Sequence, residues 1–116
     1  MKFTALVVVI PDKEEEAAIE TAKEAGAGSV TILHGKNIGL KEKKVFFGLT
    51  LEENVSVLLF VLPRKLSMQV MRTLRERFDL DSKENIGFTF TFPLSHVTGL
   101  DNEELHTFEE NIKSMI

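Results

Sequence analysis

The sequence predicts an α+β fold, a four-stranded antiparallel sheet carrying two helices on one face. Three observations predict it. A continuous apolar run closed by proline occurs twice, as Ala5–Pro11 (ALVVVIP) and Val57–Pro63 (VLLFVLP). A charged segment with helical spacing follows each run. A second β-rich segment follows each helix, Ser29–His34 in the first half and Gly87–Phe92 in the second. The chain is strand–helix–strand, written twice.

Taken in order, the first strand is Phe3–Ile10, and Pro11 ends it because proline cannot donate to the ladder. Asp12 with Glu15 three residues on forms a capping-box pattern. Glu14, Glu15 and Glu16 occupy the first turn, where the helix dipole favours anions. Ala18, Ile19, Ala22 and Ala25 make a narrow apolar stripe, and Gly26 and Gly28 stop the helix. Strand two follows as Ser29–His34. Between Gly35 and Asn54 no clean period is visible. Gly35, Gly39 and Gly48 punctuate the segment and Phe46 and Phe47 sit inside it, so it reads as a long functional loop. Strand three is Val55–Leu62. The second helix starts after Pro63 and carries Leu66, Val70, Leu74 and Phe78 every fourth residue, with Met68 and Met71 widening that face. A polar turn over Asp79–Asn85 leads to strand four, Gly87–Phe92. There Phe88, Phe90 and Phe92 alternate with Thr89 and Thr91, a period of two with one buried face. Asp101 and Glu104 suggest a second capping box. Leu105, Phe108, Ile112 and Met115 give a short amphipathic C-terminal helix. The order is the ferredoxin-like βαββαβ sandwich with an extra C-terminal helix. The expected domains are 1–100, with its loop over 35–54, and a C-terminal helical segment over 101–116.

The 116 residues, 43% hydrophobic and 28% charged, suit one soluble domain with one core. No apolar run approaches the roughly 20 residues of a membrane span, and the N-terminus lacks the basic region of a signal peptide. Cytoplasmic location is the expectation. The absence of cysteine excludes disulfides and thiolate metal sites. A net charge of −4 has the wrong sign for a nucleic-acid surface. The local cluster Lys41, Lys43 and Lys44 reads as a solvated loop.

Two helices cover one face of a four-stranded sheet, and a solvated second face should be polar at alternate positions. Strands two and four approach that with Ser29, Thr31, Thr89 and Thr91. Strands one and three do not: Phe3, Ala5, Val7 and Val9 oppose Leu6, Val8 and Ile10, and Val57, Leu59 and Val61 oppose Leu58, Phe60 and Leu62. This topology puts those two strands side by side in the centre. Their second face would expose a contiguous apolar patch of roughly several hundred Å², which soluble monomers rarely do. A partner subunit covering it is favoured over an intramolecular lid.

Catalytic chemistry is sparse. There is no nucleophile elbow and no GxxxxGK[ST] phosphate loop. The site after strand one reads Pro11-Asp12-Lys13, without the arginine-bearing loop of acylphosphatases. The carboxylates of Glu14–Glu16 are a helix start. The chain is therefore read as no enzyme. His34 and His96, at the ends of strands two and four, could meet across a subunit boundary and bind a metal. A trimeric metal-binding protein is the alternative function, although scattered surface histidines are the commoner outcome.

The segments Gly28-Ser29-Val30-Thr31-Ile32-Leu33-His34-Gly35, Gly87-Phe88-Thr89-Phe90-Thr91-Phe92-Pro93-Leu94 and Val97-Thr98-Gly99-Leu100, in this order and spacing, resemble the PII nitrogen-regulatory signal-transduction proteins over roughly residues 1 to 100. The resemblance implies a ferredoxin-like homotrimer whose sheets face a central cavity. It implies an adenine nucleotide (AMP, ADP or ATP) as effector in the cleft between subunits, with no cofactor required. It also implies a long T-loop, here 35–54, that docks on a transporter or enzyme in nitrogen or carbon metabolism. By position, Ser29 matches the small hydroxyl residue of the adenine pocket, Gly35 the glycine opening the T-loop, Val61 the apolar residue near the adenine and Gly87 a glycine of the second binding loop. Gly39 stands where the family has its T-loop glutamine, and no tyrosine is present for uridylylation.

The family's lysine-ended glycine-rich loop is replaced by Asn85-Ile86-Gly87-Phe88, and its two later arginines by Gly99-Leu100-Asp101. Charge-assisted phosphate contacts are each worth about 1.5–3 kcal/mol, so losing three weakens ATP binding by orders of magnitude. Lys36, Lys41 and Lys43 are the cations left to substitute, at an ordering cost. The expectation is a divergent PII-like regulator.

Overall fold

The computed structural model describes residues 2–38, 45–46, 49–50, 52–82 and 87–100. The elements run β1 (Phe3–Pro11), a 3-10 turn (Asp12–Glu14), α1 (Glu15–Glu24), β2 (Thr31–Ile38), β3 (Val45–Phe46), β4 (Leu49–Thr50), β5 (Glu52–Pro63), α2 (Arg64–Arg77) and β6 (Phe88–Pro93). Four strands form one antiparallel sheet in the order β2-β5-β1-β6, and β3 pairs with β4 separately. The repeat read from the sequence thus puts its two proline-closed strands, β1 and β5, at the centre. No described helix is long and apolar enough to cross a membrane.

Register divides the side chains between the two faces. Leu6, Val8 and Ile10 of β1 and Leu58, Phe60 and Leu62 of β5 meet Ala18 and Ala22 of α1 and Leu66, Val70 and Leu74 of α2 in one buried cluster. Each fully buried Leu or Phe there is worth about 1.5–3 kcal/mol. The every-fourth-residue stripe of α2 is the core face as read. Met71 and Phe78 pack against its margin, whereas Met68 is 42% exposed and does not widen that face.

Both helices end in the same way. Gly26 takes φ +117°, its N–H reaches Lys23 O, and the Ala27 N–H reaches Ala22 O. This is a Schellman closure, and it requires a residue that tolerates positive φ. Asp79, at φ 49°, does the same for α2, with the Leu80 N–H on Arg75 O.

Four expectations change. The capping box of Asp12 and Glu15 does not form: Asp12 lies in the 3-10 turn, Glu14 is the N-cap of α1, and no side chain caps either segment. The Glu15 carboxylate is drawn to the sheet instead. The segment 35–54 is not all loop, because β2 continues through Ile38 and β5 begins at Glu52, pairing Gly35 with Val55 and Ile38 with Glu52. No period showed there because the ribbon has no covered face; every residue of β2 is exposed. Strand bounds shift accordingly, from Ser29–His34 to Thr31–Ile38 and from Val55–Leu62 to Glu52–Pro63. Finally, the alternation in β6 has the opposite sense. Phe88, Phe90 and Phe92 pair with Val9, Val7 and Ala5 and point away from the helices, so Thr89 and Thr91 take the helix side. The phenylalanine face is half exposed, not buried.

Gly39, Lys41, Lys43, Lys44, Phe47, Gly48, Asn85, Ile86 and the C-terminal helix expected over 101–116, with its capping box and His106, lie outside the described residues.

Candidate functional site

The sheet face away from the helices is apolar across all four strands. Phe88, Phe90 and Phe92 stack in a row at centroid distances of 6.3 and 6.4 Å. Beside them run Ala5, Val7 and Val9, then Val57, Leu59 and Val61, then Leu33 at the β2 edge. Ala5 and Val7 are buried within one chain. The three phenylalanines, Leu33 and Val61 remain open to solvent, Leu33 by 56%. Exposed aromatic side chains along one edge strand, with exposed aliphatic ones across the same apolar face, mark an interaction surface.

The expected site residues fall around the rim of this face. Gly35 pairs with Val55, which pairs with Pro11. Gly87, which is buried, precedes the Val9–Phe88 pair by one residue. Gly87 thus falls at the level of Ile10, Ser56 and His34, so Gly35 and Gly87 lie within one residue of the same level but on opposite edges, three strand spacings or about 14 Å apart. Lys36 neighbours Gly35, and its Nζ lies 3.4 Å from Glu52 Oε2 in an exposed pair. Such pairs contribute little, about 0–1 kcal/mol, so the ammonium is readily given up to a stronger anion. Val61 lies six residues along β5 from Val55, about 20 Å away, and Ser29 precedes the Thr31–Leu59 pair at that same end. Ser29 lines a cavity of about 120 Å³ between α1 and the start of β2, with Lys23, Gly28 and Phe60 among its walls. One chain therefore brings Gly35 and Lys36 together, holds Gly87 across the sheet from them, and keeps Ser29 and Val61 at the far end.

A polar cluster that sequence reasoning missed sits at the base of the β2–β5 ribbon, on the helix side. The Ser56 hydroxyl donates to Glu15 Oε1 at 2.7 Å, and His34 Nε2 donates to the same oxygen at 2.6 Å. His34 and Ser56 are register partners on β2 and β5, and Glu15 comes from the first turn of α1. The Ser56 hydrogen bond, then that of His34, holds the Glu15 carboxyl below its usual range, against some desolvation. A nucleophilic triad needs the imidazole between hydroxyl and carboxylate. Here the carboxylate stands between the other two, so no imidazole faces the Ser56 hydroxyl as its base. The available signal was Ser56 itself, the polar residue within the apolar run of β5.

No family model matches the sequence, and no curated protein matches it either. Solved structures do match. CPII, a nitrogen regulatory PII-like protein from Thiomonas intermedia K12 bound to ADP, AMP and bicarbonate, superposes with a TM-score of 0.64 at 13% identity, over 86% of this chain and 98% of that one. The B. subtilis GlnK–ATP complex gives 0.64 at 17% identity, over 81% of this chain and 83% of that one. A PII-like signaling protein from Thermus thermophilus gives 0.59 at 14% identity, over 81% and 88%. In its chain path and sheet, this protein has the fold of the PII-like and GlnK proteins.

Proposed function

We propose that this chain is a divergent, non-catalytic PII-like signalling regulator. It assembles as a ferredoxin-like homotrimer, binds an adenine nucleotide at the subunit boundary and controls a target protein through the 35–54 segment, in nitrogen or carbon metabolism. The observation that carries the reading is the placement of Gly35 and Lys36 on one sheet edge and Gly87 on the other, within one residue of the same level, with an apolar face between them. Closing three sheets into a ring about an axis along the strands buries that face. It also sets the β2 edge of one copy against the β6 edge of the next, so that glycines about 14 Å apart in one chain become neighbours. Backbone at a glycine lets a phosphate approach closely. The nucleotides bound by CPII and by GlnK support the ligand class.

The metal-binding alternative draws no support from the geometry. His34 Nε2 is taken by Glu15. His96 lies three residues past Pro93, which pairs with Thr4, whereas His34 pairs with Ser56 at the level of Ile10. A ring about the strand axis keeps those levels apart.

Light scattering at micromolar concentration tests the assembly, with a mass three times 13.1 kDa expected. A thermal-shift series with AMP, ADP and ATP tests the ligand, since a nucleotide at 100 times its Kd stabilises by about 2.7 kcal/mol. A monomer would remove the site.

A further inference from the structure

We propose a second ligand site, for a phosphate monoester with a small apolar body, in a cavity formed within one chain where the start of β1, the start of α2 and the end of β6 converge. The cavity is a half-open cleft of about 600 Å³, within the range of small-molecule sites. It does not depend on subunit contacts, and it lies at the end of the strands opposite Gly35 and Gly87.

Its charge is one-sided. Lys2 and Arg64 line it, and none of its lining residues is acidic. Neither cation has an ion-pair partner among the described residues. Arg64 and Lys65 open α2, a helix of 14 residues with no acidic residue in its first turn and no side-chain cap. The positive end of the helix dipole disfavours cations there, so this turn is electrostatically uncompensated until an anion arrives.

A separate observation points into the same space. Thr4 lines the cavity and is 7% exposed, yet its hydroxyl makes no hydrogen bond among the described residues. No buried polar atom there is sealed off without a partner, so the Thr4 hydroxyl opens to the cavity. The hydroxyl is reached only from this cavity side of a residue otherwise buried, and a phosphate oxygen would accept from it in place of water. Thr91, also on the cavity wall, adds a second hydroxyl. Phe3, Met68, Pro93 and Leu94 give the wall its apolar part, beside Ser67 and Ser95, and Met68 is exposed there outside the core cluster. Inorganic phosphate would leave this wall wet, which selects an ester.

The test titrates phenyl phosphate into the full chain and follows Arg64 and Ser67 amides and the Met68 methyl by NMR. Saturable shifts at these positions are expected, with inorganic phosphate at least about tenfold weaker. Arg64→Ala and Thr4→Val should each weaken phenyl phosphate by about tenfold or more, as for hydrogen bonds to a charged group, with the melting temperature of the free protein held within a few degrees. The proposal is overturned if the shifts match those of sodium chloride at equal ionic strength, or if neither variant changes the Kd. Equal affinity for inorganic phosphate would overturn the monoester class.

Discussion

The buried Ser56 hydroxyl and the Glu15 carboxylate are 2.7 Å apart, although 41 positions separate them in the chain. This contact fastens the first turn of α1 to β5, and His34 joins it from β2 through the same carboxylate oxygen. Three elements at the root of the β2–β5 ribbon share one acceptor. The folded state holds the Glu15 carboxyl below its ordinary value of 4.5. A carboxyl so shifted stabilises the fold above its unfolded value, and that contribution is lost as pH falls from about 4.5 through the lowered folded value. Glu15→Gln should therefore be less stable than the parent at pH 7, with the gap in urea midpoints closing as pH drops below about 4.5. A gap constant between pH 7 and pH 3 would show that the carboxylate charge is not what fastens the turn.

The parts of this architecture legible in the sequence are those where one periodic signal dominates. The α2 stripe of Leu66, Val70 and Leu74 and the two-sided apolarity of β1 and β5 needed nothing else. The errors fell where two local rules compete for the same residue. Glu15 fits a capping box, but the Ser56 hydroxyl and the His34 ring offer its carboxylate two donors where a cap offers one backbone amide. The β6 alternation fixed which residues share a face. It could not say which face meets the helices, because Phe and Thr both suit a strand and register with β1 decides the matter. The rim residues Gly35 and Gly87 gave no sequence cue that they lie within one residue of the same level, which emerges only from pairing across four strands.

The α1 stop should be the most sensitive backbone position. Gly26 sits at φ +117°, and a Cβ there would stand 3.0 Å from Leu66 Cδ1. Leu66 is itself held in the buried cluster, so this crowding adds to the backbone cost of a side chain at positive φ, about 1–2 kcal/mol or more. Gly26→Ala is expected to lower stability by that amount, and denaturant unfolding would measure it. A neutral result would mean that α1 can close by another route.

Leu74 is fully buried between α2 and the sheet. Leu74→Ala removes that contact and leaves a cavity, at an expected cost of about 2–5 kcal/mol. Chemical denaturation should show it as a lower midpoint with the slope retained.

The open face separates assembly from folding. Phe90 is 45% exposed and lies between Phe88 and Phe92. In an isolated chain, Phe90→Glu forfeits two stacked aromatic contacts, about 1–3 kcal/mol together. In a ring it would put a charge into a buried apolar interface, which is far more costly. Light scattering should therefore report a monomer for the variant while circular dichroism still reports the folded chain. An unchanged mass would place the subunit contact elsewhere.

Gly35 distinguishes turn chemistry from ligand chemistry. A Cβ added there meets nothing within 4 Å, and the backbone is not in the left-handed region. Within one chain nothing requires glycine at this position, and alanine is the better strand residue by backbone entropy. Gly35→Ala should thus leave the melting temperature of the free protein unchanged or slightly raised. If the β2 edge receives a nucleotide phosphate from the neighbouring boundary, the added methyl stands in its path, and the stabilisation by ADP should fall by at least about tenfold in apparent affinity. Retained ADP binding together with an unaltered fold would remove Gly35 from the site and leave Lys36 and Gly87 to be tested alone.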